Sequence, residues 1–289
     1  MSTPWKSCFR DGLLEGKVAL VTGGGTGIGL SIATELASLG AIVVIASRNR
    51  QTCQEAADRM NATQVSGKIV AGPSTSIRKE DEVRNLIAWV LESFDALHLL
   101  VNNAGGQFIS AAEDISKGGF SAVVETNLTG TFLVCREAFT QYMDKHGGAI
   151  VNITLGNRNG MPMMSHSGAS RAGVENLTAT LSTEWMESNV RVNCVRPGII
   201  WTESGFENYG PAGEMFVERL LPAMPARRFG SPEEVSSAVV WLLSEGASYV
   251  TGTVLNVDGA SAYTLLPLRD IEDKEHLPFY GTLPRKARL

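Results

Sequence analysis

A run of glycines near the start of the chain is the first feature whose residue types and spacing imply chemistry. Thr22-Gly23-Gly24-Gly25-Thr26-Gly27-Ile28-Gly29 follows the apolar run Val18–Val21 and leads into the helix-period stretch Ile28–Leu39. Glycine lets a backbone turn sharply and lets a ligand approach the peptide plane, and the free amides at a helix start attract phosphate. A G-x-x-x-G-x-G loop between a first strand and a first helix is expected to hold the pyrophosphate of a dinucleotide, through Gly23, Thr26, Gly27, Ile28 and Gly29. The second apolar run ends Ile45-Ala46-Ser47-Arg48. A site for NAD places a carboxylate here to hold the ribose 2′-hydroxyl, and this stretch has none. The Ser47 hydroxyl and the Arg48 guanidinium, with Arg50 close by, suit a 2′-phosphate instead, which points to NADP(H). The competing reading of Arg48 is a solvated loop residue.

Such a loop needs a scaffold, and the rest of the chain supplies its pattern. Short β-branched runs at Val18–Val21, Ile42–Ala46, Lys68–Ala71, Leu97–Val101, Ala149–Ile153, Val192–Val195 and Val254–Val257 read as buried strands. Amphipathic stretches lie between them, among them Ile28–Leu39, Glu80–Phe94, Phe120–Met143, Ser170–Glu187 and Glu233–Leu243. That alternation predicts an α/β fold: a single-domain, Rossmann-type, doubly wound parallel sheet of about seven strands with helices on both faces. A chain of 289 residues, 44% apolar and 19% charged, buries enough surface for one such domain without disulfides or a metal. No repeat or linker divides it, so residues 1–289 read as one domain with its core at 16–262 and a peripheral tail at 266–289.

Composition excludes several classes. A net charge of −5 argues against nucleic acid as the main partner. Cys8, Cys53, Cys135 and Cys194 form no C-x-x-C pair, so neither a zinc site nor a disulfide framework is expected, and no metal is assigned. Met1–Gly16 has no apolar secretory core, and the longest apolar runs, such as Ala41–Ala46, fall far short of the roughly 18–20 residues of a membrane helix. A soluble intracellular protein without membrane insertion is expected.

Taken in order, several motifs resemble the short-chain dehydrogenase/reductase family over nearly the whole chain. They are Thr22–Gly29, Asn102-Asn103-Ala104-Gly105, Asn127-Leu128-Thr129-Gly130, Pro197-Gly198-Ile199-Ile200-Trp201-Thr202, and Thr251-Gly252 through Val257-Asp258-Gly259. The resemblance implies that Asn103, Ala104 and Gly105 border the adenosine ribose and that Pro197 and Gly198 lead to the nicotinamide. It also implies that the Ile200 backbone binds the carboxamide with Thr202 nearby, and that Asn127 stands beside the active site.

The departures from that family carry more chemistry than the matches. Most members protonate or deprotonate an oxygen through Ser, Tyr and Lys, the last two as Y-x-x-x-K. Here Ser167 and Arg171 stand at the Tyr and Lys positions, and Leu155 at that of Ser, with Thr154 a partial substitute. A serine hydroxyl is too weak an acid, and a guanidinium of ordinary pKa above about 12 keeps its proton. Alcohol–ketone interconversion needs an acid/base of tuned pKa, so it is disfavoured. Reduction of a C=C bond conjugated to a thioester needs mainly donors aimed at the enolate oxygen. Asn127, Ser167 and fixed backbone amides are the candidate donors, and Arg171, one helical turn after Ser167, can hold the nicotinamide ribose and supply positive charge. Ser167 also reads as a small residue leaving room for an acyl chain, or as a helix cap.

Within the family this pattern is similar to the enoyl-thioester reductase branch, in particular its peroxisomal trans-2-enoyl-CoA reductases. The matching stretches are Asn102–Phe108, His166–Val174 and Glu207–Gly210. NADPH-dependent reduction of trans-2-enoyl-CoA esters in fatty acid metabolism is implied. The alternatives are 2,4-dienoyl-CoA reduction, whose enzymes keep the Lys and place a Tyr where Gly156 stands here, and a catalytically inactive NADPH-binding member. Tyr209, His166 or water are candidate donors of the α-carbon proton, Tyr209 and His166 reading equally as a lid aromatic and a packed histidine. Arg227 and Arg228 could meet coenzyme A phosphates, or be loop residues before the Ser231-Pro232-Glu233-Glu234 helix start. The terminal Ala287-Arg288-Leu289 is similar to the S-K-L peroxisomal address, implying an import receptor as partner and the peroxisome as location. A homotetramer is implied by the family resemblance alone.

Overall fold

Val18–Thr22 forms β1, which pairs in parallel with β2 (Ile42–Ala46) on one side and β4 (Leu99–Asn102) on the other. The sheet continues outward through β3 (Lys68–Ala71) beyond β2, and through β5 (Gly148–Ile153), β6 (Val190–Pro197) and β7 (Val254–Val257) beyond β4. The order is β3-β2-β1-β4-β5-β6-β7 and every pairing is parallel. This is the expected doubly wound Rossmann-type sheet. The computed structural model describes residues 6–63, 65–156, 160–202, 220–263, 280–282, 284 and 287.

Because side chains alternate across a strand, each apolar run feeds both faces of the sheet. Ala19 and Val21 point to the layer of α1 (Gly27–Ser38), α2 (Arg50–Asn61) and α8 (Pro232–Leu243), where Ile32, Leu36, Cys53, Val235 and Val239 are buried. Val18 and Leu20 point the other way, to α3 (Glu80–Phe94), α5 (Gly130–Ala138) and α7 (Ser165–Glu184). Leu86, Ile87, Val134 and Leu181 fill that second layer. Among the described residues no helix is long and apolar enough to cross a membrane.

Three boundaries differ from the sequence pattern in ways that matter for the site. First, α7 begins at Ser165 rather than Ser170, so His166 and Ser167 lie in its first turn. Second, the stretch read as one helix over Phe120–Met143 is α4 (Lys117–Val124), a π turn at Glu125–Thr129, α5, and a second π turn at Phe139–Met143 leading into α6 (Asp144–His146). A π turn widens the helix and re-aims a side chain, and the first one carries Asn127. Third, β6 runs to Pro197, which delivers Gly198 directly to the sheet edge. At α8 the expected start is realised as a capping box between Ser231 and Glu234.

A short polar ladder ties α7 to the middle of the sheet. Asn102 of β4 donates to Asn152 Oδ1 of β5 at 2.9 Å, and Asn152 donates to Thr178 Oγ1 of α7 at 2.9 Å. All three are buried, where an unpaired amide is costly. Asn152→Ala is expected to lower unfolding free energy by roughly 1–3 kcal/mol, read from urea denaturation. An unchanged urea midpoint would show that the ladder contributes nothing to stability.

Candidate active site

All strands end at one edge, and there the loops after them wall a cleft of about 550 Å³. Gly23, Thr26, Gly27, Ile28 and Gly29 form one wall, with Ser47 and Arg48 at the end of β2. Asn103, Ala104, Gly105 and Thr202 lie on the same cleft. The sequence reading missed Thr75, Ser76, Ile77 and Arg78, which also line it after β3. A short loop of mixed residue types has no periodicity by which to find them. Arg78 is held by Glu125 at 2.5 Å.

The glycine loop is held open by side chains from β1 and β4. Asn103 Nδ2 donates to the carbonyls of Thr22 and Gly23, each at 3.1 Å, and Thr22 Oγ1 accepts the N–H groups of Asn103 and Ala104 at 3.1 Å. A Cβ on Gly29 would stand 2.4 Å from both Asn103 Nδ2 and the Gly23 carbonyl, so only glycine fits. Thr26 precedes α1 without a side-chain cap, which leaves the first-turn amides of that helix for an outside acceptor.

Arg48 is exposed, and among the described residues its guanidinium makes no hydrogen bond or ion pair. Ser47 Oγ donates to the Asn49 carbonyl at 2.9 Å and touches Cys53 Sγ at 3.3 Å. At the far end, Gly198 N–H donates to the Val257 carbonyl at 2.9 Å, with no room for a side chain beside Asp258. The Ile199 carbonyl and the Trp201 N–H both pair with Gly230. Ile200's own N–H and carbonyl, which face the other way, are unpaired among the described residues. Ile200 itself borders a neighbouring cavity of about 360 Å³ beside Asp258 rather than the main cleft. Uncapped amides, a free guanidinium and free peptide groups in this order fit a nicotinamide dinucleotide.

The chemical end of the site is built on α7 and the π turn. Ser167 is fully buried and donates to Gln107 Oε1 at 2.6 Å. It is the third residue of α7, so it is not the helix cap. Gln107 was part of the motif after β4 but had no assigned role; the structure makes it the partner of Ser167. His166, also fully buried, accepts the Ser167 N–H through Nδ1 at 2.7 Å, and its Nε2 has no partner. Phe108 lies edge-on to the imidazole with ring centroids 4.3 Å apart. Asn127 donates to the Gly106 carbonyl at 3.1 Å and to Ser170 Oγ at 3.3 Å, and accepts the Gly106 N–H at 2.9 Å. Both of its amide protons are therefore committed, and it acts as a clamp on the loop after β4 rather than as a donor.

Arg171 follows one turn after Ser167, as its spacing predicts. Its guanidinium is 7% exposed, donates from Nη1 to the Ile153 carbonyl at 2.7 Å, and leaves Nε without a partner. Nη2 presses on Gly105 so closely that a Cβ there would overlap it at 2.0 Å. No carboxylate pairs with it among the described residues. Burial lowers its pKa to about 10, below the ordinary range assumed from sequence, yet it stays charged at neutral pH.

Several expectations need correction. The Thr154 hydroxyl meets Glu175 Oε1 at 3.3 Å, Cys194 Sγ at 3.3 Å and the Val195 carbonyl at 3.4 Å, so it does not replace the missing serine. Glu175 is in turn held by Arg196 at 2.5 Å. Arg228 is paired with Glu234 at 2.7 Å and so presents no free charge for coenzyme A phosphates, whereas Arg227 donates only to the Pro222 carbonyl at 2.8 Å and meets no carboxylate among the described residues. Gly156, exposed and 3.7 Å from the Pro197 carbonyl at its would-be Cβ, leaves the position of the dienoyl-type Tyr without a side chain. Tyr209, Arg288 and Leu289 lie outside the described residues. Among the described residues no group of His, Cys, Asp and Glu could hold a metal.

Known proteins resemble this chain over most of its length. Residues 23–260 match the family model described as Enoyl-(Acyl carrier protein) reductase. The peroxisomal 2,4-dienoyl-CoA reductase [(3E)-enoyl-CoA-producing] of Danio rerio is 37% identical, over 89% of this chain and 85% of the relative. That of Rattus norvegicus is 37% identical over 89% and 87%. The structure of the citronellol catabolism dehydrogenase AtuB of Pseudomonas aeruginosa PAO1 superposes with a TM-score of 0.77 at 42% identity, covering 89% of this chain and all of that one.

An unpaired buried cation is costly unless it meets developing negative charge. Arg171→Met is expected to lower kcat by about 10²-fold with the fold retained. In the unmodified protein, turnover is expected to fall as pH rises through about 10, where the guanidinium loses its charge. A pH profile unaffected by Arg171→Met would remove that charge from the reaction.

Proposed function

We propose a function from one premise: the chain belongs to the short-chain dehydrogenase/reductase family. Within it, the protein is an NADPH-dependent reductase of a carbon–carbon double bond conjugated to the thioester carbonyl of a fatty acyl-CoA. The observation that carries this reading is the buried, carboxylate-free Arg171 beside a Ser167 whose proton is already given to Gln107. No acid of tuned pKa stands where a ketone oxygen would be protonated, so carbonyl reduction lacks its proton source. A conjugated thioester instead gathers negative charge on its carbonyl oxygen, and the fixed guanidinium favours that charge.

When bound, NADPH supplies the hydride. The glycine loop amides hold its pyrophosphate, Arg48 and Ser47 its 2′-phosphate, and the free peptide groups of Ile200 its carboxamide. Asn103 and Asn127 keep the two loops of the cleft in register. Tyr209, His166 and water are the candidate sources of the α-carbon proton; the unpartnered Nε2 of His166 supports the histidine.

Two substrates share this chemistry: trans-2-enoyl-CoA, suggested by the His166–Val174 pattern, and 2,4-dienoyl-CoA, favoured by the names of the relatives. Peroxisomal location is supported by those names together with Ala287-Arg288-Leu289. Phe120 and Phe132, exposed on α4 and α5, suit packing against further copies in a tetramer.

NADPH consumption by the purified protein is expected with an enoyl- or dienoyl-CoA and not with a 3-ketoacyl-CoA, and NADH is expected to serve poorly. Ketoester turnover would overturn the argument from the missing acid. Tight NADPH binding without turnover of any ester would identify a non-catalytic member of the family. Arg48→Ala is expected to weaken NADPH binding by roughly tenfold or more and leave NADH binding unchanged; an unaltered preference would remove Arg48 from the site.

A further inference from the structure

The end of the chain is fastened to the cofactor side of the fold at four separate places. The Tyr280 hydroxyl accepts the Cys8 N–H at 2.7 Å and donates to the Lys6 carbonyl at 3.1 Å, beside the buried carboxylate of Glu35 on α1. Glu35 also accepts from Ser7 and from Ser236 of α8, so α1, α8 and both chain ends meet there. The Tyr280 carbonyl accepts from Ser231, the residue that caps α8, at 2.5 Å. Gly281 adopts φ +98°, and a Cβ on it would stand 2.6 Å from the Cβ of Glu233, while Thr282 donates to Glu233 Oε1 at 3.4 Å. Ala287 is fully buried among Leu221, Met224 and Phe229, and its carbonyl accepts the Phe229 N–H at 3.1 Å.

What this segment encloses gives it a role. Thr282 and Pro284 line a second cavity of about 550 Å³, whose opposite wall is the outer side of the glycine loop at Gly25, Thr26 and Gly27. Thr26, Gly27 and Thr202 border both this cavity and the main cleft. The two spaces therefore meet at the uncapped amides of α1. Ala287 bears on Phe229, which stacks on Trp201 with ring centroids 6.1 Å apart and planes at 14°. Trp201 adjoins Ile200 and Thr202, the residues expected at the nicotinamide end. One attachment of the segment thus braces the phosphate-binding helix and the other braces the loop after β6.

We propose that the C-terminal segment carrying Tyr280, Gly281, Thr282, Pro284 and Ala287 is a strap whose docking walls the second cavity behind the glycine loop, next to the cofactor cleft, so that a docked strap and bound NADPH stabilise each other. The inference rests on the NADPH reading above. Linkage makes the effect reciprocal: docking tightens the nucleotide by the same factor as the nucleotide tightens docking. Ala287 has no exposed surface while the strap is docked.

Trypsin reports on docking in the intact protein, because Arg285 and Lys286 lie within the segment. Saturating NADPH is expected to slow cleavage there by about fivefold or more. Gly281→Ala, strained at its φ and crowded by Glu233, is expected to speed that cleavage and to raise the Kd for NADPH by a similar factor, with an unchanged circular dichroism spectrum. Tyr280→Phe, which removes only one hydroxyl, serves as the milder companion. A cleavage rate indifferent to NADPH, or a freely cleaved variant that binds NADPH like the unmodified protein, would overturn the strap. If the unmodified protein binds neither NADPH nor NADH, the functional reading fails, and this inference with it.

Discussion

Parallel pairing of all seven strands obliges every crossover to return over a face of the sheet, so the chain leaves each strand at the same edge. Both faces are consequently covered by helices, and the strands are apolar on each side. Polar side chains that enter this interior are linked across it, Asn102 Nδ2 to Asn152 and Asn152 to Thr178, while Asn102 Oδ1 is left without a partner. The same constraint brings the glycine loop after β1, the Ser47–Arg48 corner after β2, the Asn103–Gly106 loop after β4 and the Ile200–Thr202 loop after β6 to one edge. Residues spread over most of the chain become one site because of strand direction alone.

Within that site, close approaches fix position more than strong bonds do. Gly29 allows Asn103 to grip the glycine loop, and Gly105 allows the Arg171 guanidinium to lie flat against the loop after β4. The π turn places Asn127 where its amide can hold Gly106. These clamps make the cofactor half rigid before any ligand arrives, which is what positioning a hydride donor requires. The substrate half differs in kind. Burial of Arg171 without a carboxylate is a local cost that the fold carries at the start of α7. Ser167 and Gln107 complete each other there instead of forming a tuned acid.

Reading residues in isolation assigned charges that the folded chain uses elsewhere. Arg228 sits close to the cleft in sequence order but is neutralised by Glu234 of the capping box, and Thr154 turns toward the Glu175–Arg196 pair. Both were plausible from residue type. Each depended on which way a side chain points at the end of a strand or the start of a helix, and one residue of register reverses that. Thr75 through Arg78, by contrast, joined the cleft unannounced, because a short loop of mixed residue types has no periodicity to read.

The alternation of β-branched runs with amphipathic stretches, and a glycine loop in one fixed place, were enough to specify a doubly wound sheet and its dinucleotide edge. Both are local signals: periodicity and backbone freedom are written within a dozen residues of one another. The i, i+4 relation of Ser167 to Arg171 was legible for the same reason. Long-range packing decided the rest. Asn127 changed from donor to clamp because of its contact with Gly106, Gln107 became the partner of Ser167 across some sixty positions, and Arg171 acquired its lowered pKa only by burial against Gly105. The docking of Tyr280 and Ala287 beside the cofactor edge is of the same kind. Such contacts join segments that sequence order keeps far apart, and their energies depend on burial and orientation, quantities that exist only once the chain has folded.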